Sequence, residues 1–393
     1  MVFIFDTVHG YISIDDNQKV YIDNPWMKRL KRINQLGLLD HVFPSASHSR
    51  FEHSIGVAHL AEKYIERLVS NSQEFNPKYL DKFCVKLAGL FHDIGHGPFS
   101  HVFDNIIVKN PLLHHEFRSR NIVEYIFKSV GTTKTVSSAY MIDNIKEMIQ
   151  PLHNQYLTNY NLRPLHTIVN NVNNGIDVDK LDYLLRDPNH IGLDYSFNYG
   201  RIFNKSYIIN GNIVYDYSIC NNIIDLFKTR YRFHKDIYNH KTVKLIEMML
   251  GDALLESDNV FNFNDILMTP DFLKLDDSIY SQILNSDSKD LDRSKKILQR
   301  IENRDLYKLL SYQNLDVGDS ASQMLEDLYP DYRESQIKYT EMDFSLCKNN
   351  HSPLSNVLFT SDKKKCGYLQ EKQNQIDLYS NYHTKVLMIY NVN

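Results

Sequence analysis

The sequence predicts a mainly α-helical protein, with a helical core over residues 1–260 and a smaller α+β lobe over 261–393. Apolar residues recur at helical spacing, bounded by capping signals, through the first two-thirds of the chain. Beyond about residue 260 the pattern gives way to short charged helical pieces and then to two strand-like runs. The 393 residues, 42% apolar and 23% charged, have ordinary globular usage and are enough to bury a core in two or three domains.

Asn24 followed by Pro25 reads as an N-cap with proline at the first helical position. Trp26, Leu30 and Ile33 follow at i, i+4, i+7, and Gly37 closes that helix. Ser49-x-x-Glu52 reads as a capping box opening a helix through His53, Val57, Leu60 and Tyr64. Phe83, Leu87, Leu90 and Ile94 mark the next helix, which Gly95-His96-Gly97-Pro98 breaks. Further helices are expected around 115–130, 140–152, 176–187 and 219–256, and in the lobe at 289–312 and 319–329. Ile337–Phe344 and Val386–Tyr390 read as strands, and Lys363-Lys364-Lys365 as a solvated turn between strands.

Composition narrows the function classes. Lys plus Arg total 44 against 48 Asp plus Glu, a net charge of −4, which argues against a nucleic-acid coat or a membrane-surface protein. No apolar run approaches the ~18–20 residues needed to span a bilayer, and the first residues lack the basic and cleavage regions of a secretory signal. Cys84, Cys220, Cys347 and Cys366 form no C-x-x-C pair, so neither a disulfide framework nor a cysteine zinc site is expected. The expectation is an intracellular protein, cytoplasmic or nuclear.

The histidines point to a site. Nine of 17 lie between residues 41 and 115, where an even spread would place about three. The sharpest signal is Phe91-His92-Asp93-Ile94-Gly95-His96-Gly97-Pro98-Phe99-Ser100-His101. A lone His-Asp dipeptide is usually structural. At the end of an apolar helix, where the dipole favours a cation, and followed by a turn that returns His96 and His101, it is far more specific. Upstream, Arg50-Phe51-Glu52-His53 adds an imidazole; downstream, Ile176-Asp177-Val178-Asp179-Lys180 adds carboxylates. His53, His92, Asp93 and Asp179 together form a mixed nitrogen and oxygen set suited to Mn, Fe, Ni or Zn, or to Mg accompanying substrate phosphates. His41, His48, His59 and His114 take the blander reading of helix ends and packing sites. No Walker-type glycine loop is present.

These residues resemble a known family. H…HD…D is the signature of HD-domain metal phosphohydrolases. Ser47-His48-Ser49-Arg50-Phe51-Glu52-His53, His92-Asp93-Ile94-Gly95-His96-Gly97-Pro98-Phe99-Ser100-His101 and Asn174-Gly175-Ile176-Asp177-Val178-Asp179-Lys180-Leu181-Asp182-Tyr183 resemble its deoxynucleoside triphosphate triphosphohydrolase branch. The likeness covers nearly the whole chain, from Phe3-Ile4-Phe5-Asp6-Thr7-Val8-His9-Gly10 to the terminal strands, without the sterile alpha motif of animal members. It implies an HD-domain helical core, metal ligation by His53, His92, Asp93 and Asp179, and hydrolysis of dNTPs to deoxynucleoside and tripolyphosphate. His96, His101 and His115 would surround the α-phosphorus, with His101 protonating the departing 5′ oxygen. Arg50, Lys180 and Arg230 would hold phosphates, with His234 and Tyr183 nearby. Gln35, Leu36, Asp187 and Tyr238 would frame the sugar, Tyr238 crowding a 2′-hydroxyl. Glu116 would either orient His115 or simply suit the helix dipole. A dimer or tetramer is also implied.

Periodicity agrees in part: Asp179, Tyr183 and Asp187 recur at i, i+4, i+8, as do Arg230, His234 and Tyr238. A second, regulatory nucleotide pocket implied by the family is altered here. Val2, Lys28, Lys31, Asp216 and Ser218 stand where other side chains are expected, whereas Asp23 and Arg201 are retained, so weak or absent activation by GTP is expected. Rival readings are an HD phosphohydrolase acting on a nucleoside monophosphate or nucleic-acid end, and a non-catalytic nucleotide or single-strand nucleic-acid binder.

Overall fold

The computed structural model describes residues 1–131, 136–151, 164–194, 197–315, 320–330, 336–346, 353–368 and 383–392, and every structural statement below concerns these. Cys347 and the ends of two expected helices, at 152 and 319, lie outside them. The chain packs into two compact units that interleave in sequence. The first comprises Met1–Leu226, Asn262–Ile279 and Leu354–Leu369; the second comprises Phe227–Phe261, Tyr280–Pro353 and Gln370–Asn393.

The first unit is mostly helical, as expected. It opens with an antiparallel hairpin, β1 (Val2–Asp6) and β2 (Gly10–Ile14), which buries Ile12 and Ile14 and leaves Phe3, Phe5 and Tyr11 exposed. Helices α1 (Asp16–Ile22) and α2 (Pro25–Arg29) follow, the Asn24 side chain capping α2 at the Trp26 N–H (3.0 Å). The long helix α3 (Arg50–Asn71) is capped by Ser49 and packs on α4 (Tyr79–Phe91). Helices α5 (His115–Val130), α6 (Val136–Ile149), α7 (Val178–Ile191) and α8 (Tyr199–Asn204) complete the helical part. A second hairpin, β3 (Ser206–Ile209) and β4 (Asn212–Asp216), turns at Asn210-Gly211, both left-handed (φ +51° and +70°), as a tight two-residue hairpin requires.

Helix α9 (Cys220–Arg232) crosses from the first unit into the second. There a π-helical turn, Phe233–Tyr238, separates it from α10 (Lys241–Glu256). Along the chain, short helices α11 (Asp258–Phe261), α12 (Phe263–Ile266) and α13 (Ile279–Leu284) precede α14 (Asp292–Glu302). The second unit's sheet has the order β5 (Lys308–Leu315), β9 (His383–Asn391), β6 (Ile337–Ser345), all antiparallel, with α15 (Ala321–Leu328) packed against it. In the first unit β7 (Leu358–Thr360) pairs with β4 and with β8 (Gly367–Tyr368).

Several expectations shift. The division at residue 260 does not coincide with the packing, because α10 lies along α14. There Ser294 Oγ donates to the Ala253 carbonyl (2.6 Å) and Tyr307 OH to Asp252 (2.8 Å). The α2 helix tightens to 3-10 geometry and stops at Arg32; Ile33 is extended, since its backbone carbonyl is taken by the Arg50 N–H (2.9 Å). The expected 219–256 helix is two helices around the π turn, and the second half of 289–312 is strand β5. The lysine run is a turn between β7 and β8, held by Asp362, whose Oδ1 accepts the Lys364 (2.9 Å) and Lys365 (3.0 Å) N–H groups.

Candidate active site

Three helix ends meet in the first unit. Ser49 caps α3 and so places His53 in its first turn. Helix α4 ends at Phe91 with His92 as its C-cap, and Asp93 follows. Asp177 caps α7 by accepting the Lys180 N–H (3.0 Å), which sets Asp179 in that helix's first turn.

The four expected ligand side chains converge. His53 Nε2 lies 3.2 Å from His92 Nε2, 3.1 Å from Asp179 Oδ1 and 3.6 Å from Asp93 Oδ2. His92 Nε2 is 3.4 Å from Asp93 Oδ1 and 3.5 Å from Asp179 Oδ1. The outer nitrogens decide what the inner ones can do. His92 Nδ1 donates to the Gly89 carbonyl (2.8 Å) and His53 Nδ1 to Asp182 (2.8 Å). In its neutral form each ring would therefore turn an unprotonated Nε2 inward, the arrangement a metal-ligating histidine uses. Burial disfavours charge on His53, but its hydrogen bonds to Asp179 and Asp182, with Asp93 nearby, push the imidazole up to about 10. The same negative field that holds a proton there suits a divalent cation, so the residues fit a metal ion.

A second cluster stands alongside. The rings of His96 and His115 stack at 3.7 Å, and His101 lies edge-on to both, at 5.0 and 5.4 Å. His96 is buried, His115 half-buried and His101 exposed. Burial, then the charges of Arg50 and His115, hold His96 well below the ordinary imidazole value. Asp104 orients His115: its Oδ2 takes the ring Nδ1 (2.6 Å) and the backbone N–H (3.1 Å), while Glu116 stands 3.6 Å off.

The expected substrate residues are distributed as follows. Arg50 is buried and its guanidinium is engaged by Asp93, by Ser100 Oγ (2.7 Å) and by the Gln35 carbonyl (3.3 Å). Lys180 is half-buried and bridges to Asp177 (2.7 Å). Tyr183 is half-buried beside it on α7, and Asp187 is buried one turn on, against His48 Nε2 (2.9 Å). Gln35 follows in the same network: its N–H donates to the His48 carbonyl (2.9 Å), while its buried side-chain Oε1 makes no hydrogen bond among the described residues. Leu36 is half-buried next to it. Arg230, His234 and Tyr238 belong to the second unit, where the His234 and Tyr238 rings meet edge-on at 5.2 Å and Arg230 Nη1 donates to the Ser345 carbonyl (3.4 Å).

Sequence reading missed the supporting carboxylates. Asp182 accepts from His53, from His9 Nε2 (2.6 Å) and from Arg186 Nε (2.8 Å), with all these side chains buried. The Thr7-Val8-His9-Gly10 string lies within the resemblance, yet nothing local links His9 to α7. His48, expected to be a packing residue, stacks on His190 at 4.2 Å and holds Asp187.

The chain is similar to known proteins along most of its length. The HD domain family matches residues 50–187 and the HD associated region matches 197–337. A Dictyostelium discoideum protein named deoxynucleoside triphosphate triphosphohydrolase SAMHD1 homolog is 37% identical over 314 residues, 78% of this chain and 59% of that protein. The chicken (Gallus gallus) deoxynucleoside triphosphate triphosphohydrolase SAMHD1 is 32% identical over 443 residues, 98% of this chain and 71% of that protein. The human protein of the same name is 32% identical over 412 residues, 91% of this chain and 65% of its own length. Among the described residues no helix is long and apolar enough to cross a membrane. With its imidazoles and carboxylates gathered at three helix ends, the chain belongs to the HD-domain family, of metal-dependent phosphohydrolases, that includes SAMHD1.

Proposed function

We propose that this protein hydrolyses deoxynucleoside triphosphates to deoxynucleoside and tripolyphosphate, with a divalent metal held by His53, His92, Asp93 and Asp179. One observation carries the reading: two inward-turned Nε2 atoms and two carboxylates converge beside a cluster of three further imidazoles, in a chain whose relatives are named for this activity. When bound, such an ion supplies Lewis-acid polarisation and a water acidified towards neutral pKa.

The chain's own residues do the rest. A triphosphate brings about four negative charges, and Lys180 with the buried Arg50 offsets them electrostatically. The family resemblance assigns His101, at the edge of its cluster, to protonate the 5′ oxygen as the bond to the α-phosphorus breaks, a role commonly worth ~10²–10⁴-fold. His96 and His115 line the same spot, His115 fixed by Asp104. Gln35, Leu36, Tyr183 and Asp187 frame the nucleoside, the buried Gln35 Oε1 offering an acceptor. The family resemblance further assigns Arg230 and His234 to phosphates and Tyr238 to the sugar, and implies a homo-oligomer, dimer or tetramer. The mixed donor set suits Mn, Fe, Ni or Zn, with Mg accompanying the phosphates.

The test is to incubate metal-loaded protein with each dNTP and identify the phosphate product by ion chromatography. Tripolyphosphate is expected, and Asp179→Ala should abolish it. Release of pyrophosphate or orthophosphate instead, or no product, refutes the assignment.

A further inference from the structure

Resting on that reading, we infer that Asp277 is a positioning residue for the reaction: its carboxylate ties the segment carrying Gln35 and Leu36 to the turn carrying His101. Oδ2 accepts the Asn34 N–H (2.8 Å) and Oδ1 accepts the Phe99 N–H (2.7 Å). Both oxygens are thus spent on backbone donors, each one or two residues from a group assigned to substrate.

The turn needs such a clamp. Phe99 and Ser100 are consecutive non-glycine residues in the left-handed region, at φ +57° and +60°, a conformation that persists only where surroundings over-determine it. The neighbouring bonds serve the same end: Ser100 Oγ donates to the Asn34 carbonyl (2.6 Å) and receives Arg50 Nε (2.7 Å). Asp277 is itself anchored. Its N–H donates to the Arg32 carbonyl (3.1 Å), and Arg32 Nε pairs with the adjacent Asp276 (2.6 Å). The Leu275 carbonyl accepts from the buried Arg29, whose other nitrogens hold the carbonyls of Ile94 (3.3 Å) and His96 (2.6 Å). Residues 275–277 therefore form a strap that fixes the histidine turn from outside the metal ligands' own helices, and none of these bonds goes to the side chains of His53, His92, Asp93 or Asp179.

An asparagine cannot replace this carboxylate, because its amide would face one N–H donor with another. Asp277→Ala removes both bonds and Asp277→Asn one. A displacement of about 1 Å at a reacting group costs on the order of 10²-fold. Asp277→Ala should lower kcat by about that factor and Asp277→Asn by less, while calorimetric Mn affinity stays within about threefold of wild type. In amide hydrogen exchange, Asn34 and Phe99 should both lose protection in Asp277→Ala, and one of the two in Asp277→Asn. Wild-type kcat in Asp277→Ala, or unchanged exchange at those two amides, overturns the inference. So does a parallel loss of metal affinity and thermal stability with no selective change at the two amides. The two proposals fail differently: wild type that releases no tripolyphosphate sinks the reaction, and with it Asp277's part in it, whereas a releasing wild type with an indifferent Asp277→Ala sinks the clamp alone.

Discussion

Replacing Gly95 with alanine tests how closely the histidine turn is built against helix α5. A Cβ at this position would stand 2.2 Å from the His115 carbonyl oxygen and 2.5 Å from the Ser119 nitrogen, where ordinary contacts begin at 3.4 Å. Both neighbours are backbone, so no side chain can swing away, and the turn and α5 must separate by roughly 1 Å. That motion breaks the bonds from the Gly95 N–H to Ser119 Oγ (2.9 Å) and from Arg118 Nε to the Gly95 carbonyl (2.8 Å). Overpacking of this kind costs about 1–3 kcal/mol and each of the two lost bonds about 1 kcal/mol, giving a loss on the order of 3–5 kcal/mol. The same shift pulls the His115 ring from its stack on His96, with an expected fall in kcat of about 10²-fold. Urea denaturation reads the first effect and tripolyphosphate release the second. Gly131→Ala is the control: open space surrounds it, yet φ is +80° at the end of α5, so about 1 kcal/mol should be lost with turnover unchanged. A Gly95→Ala protein with wild-type midpoint and turnover would refute the reasoning.

Asp182→Asn should weaken metal binding about 10–100-fold by calorimetry, since Asp182 fixes the His53 ring from behind; equal affinity would exclude that role. Acid should destabilise the fold in a definite window. Against the penalty of burial, His115 and Arg118 hold Asp104, and Arg186 and His53 hold Asp182, below the ordinary carboxylate value of 3.8. Their contribution is complete above about pH 4 and lost as pH falls below it, so a urea midpoint unchanged between pH 6 and pH 3 would contradict the assignment. GTP should raise turnover less than about threefold, because Lys28 is paired with Asp23 (3.2 Å) and Asp216 caps the turn at Ser218 and neighbours Lys205; a tenfold rise would overturn this.

The parts of this molecule written locally were legible. Asn24-Pro25 and Ser49-x-x-Glu52 did mark helix starts, because caps act within one turn. The His-Asp pair could be recognised because the glycines around it signal a return of the chain. Asp182, Asp104 and Asp277 could not. Each acts across 11 to 243 residues of sequence, and a lone aspartate on a helix or in a loop looks the same whether it faces solvent or a buried imidazole. The β1 strand was missed because Val2-Phe3-Ile4-Phe5 is continuously apolar and shows no alternation. The Asn210-Gly211 hairpin, flanked by Tyr207-Ile208-Ile209 and Ile213-Val214-Tyr215, was available to be read. The break at Phe233–Tyr238 carries no glycine or proline, so periodicity ran straight through it.

The bond from Arg29 to the Leu275 carbonyl spans 246 residues, and that distance has a bearing on synthesis. At 5–20 residues per second a ribosome needs roughly 12–50 s to lengthen the chain from one to the other. Until then a guanidinium destined for full burial lacks one of its acceptors, and the histidine turn lacks its strap. A nascent chain stalled near residue 260 would carry every proposed metal ligand yet hold an unfinished histidine turn, a stage at which chaperone engagement would be timely.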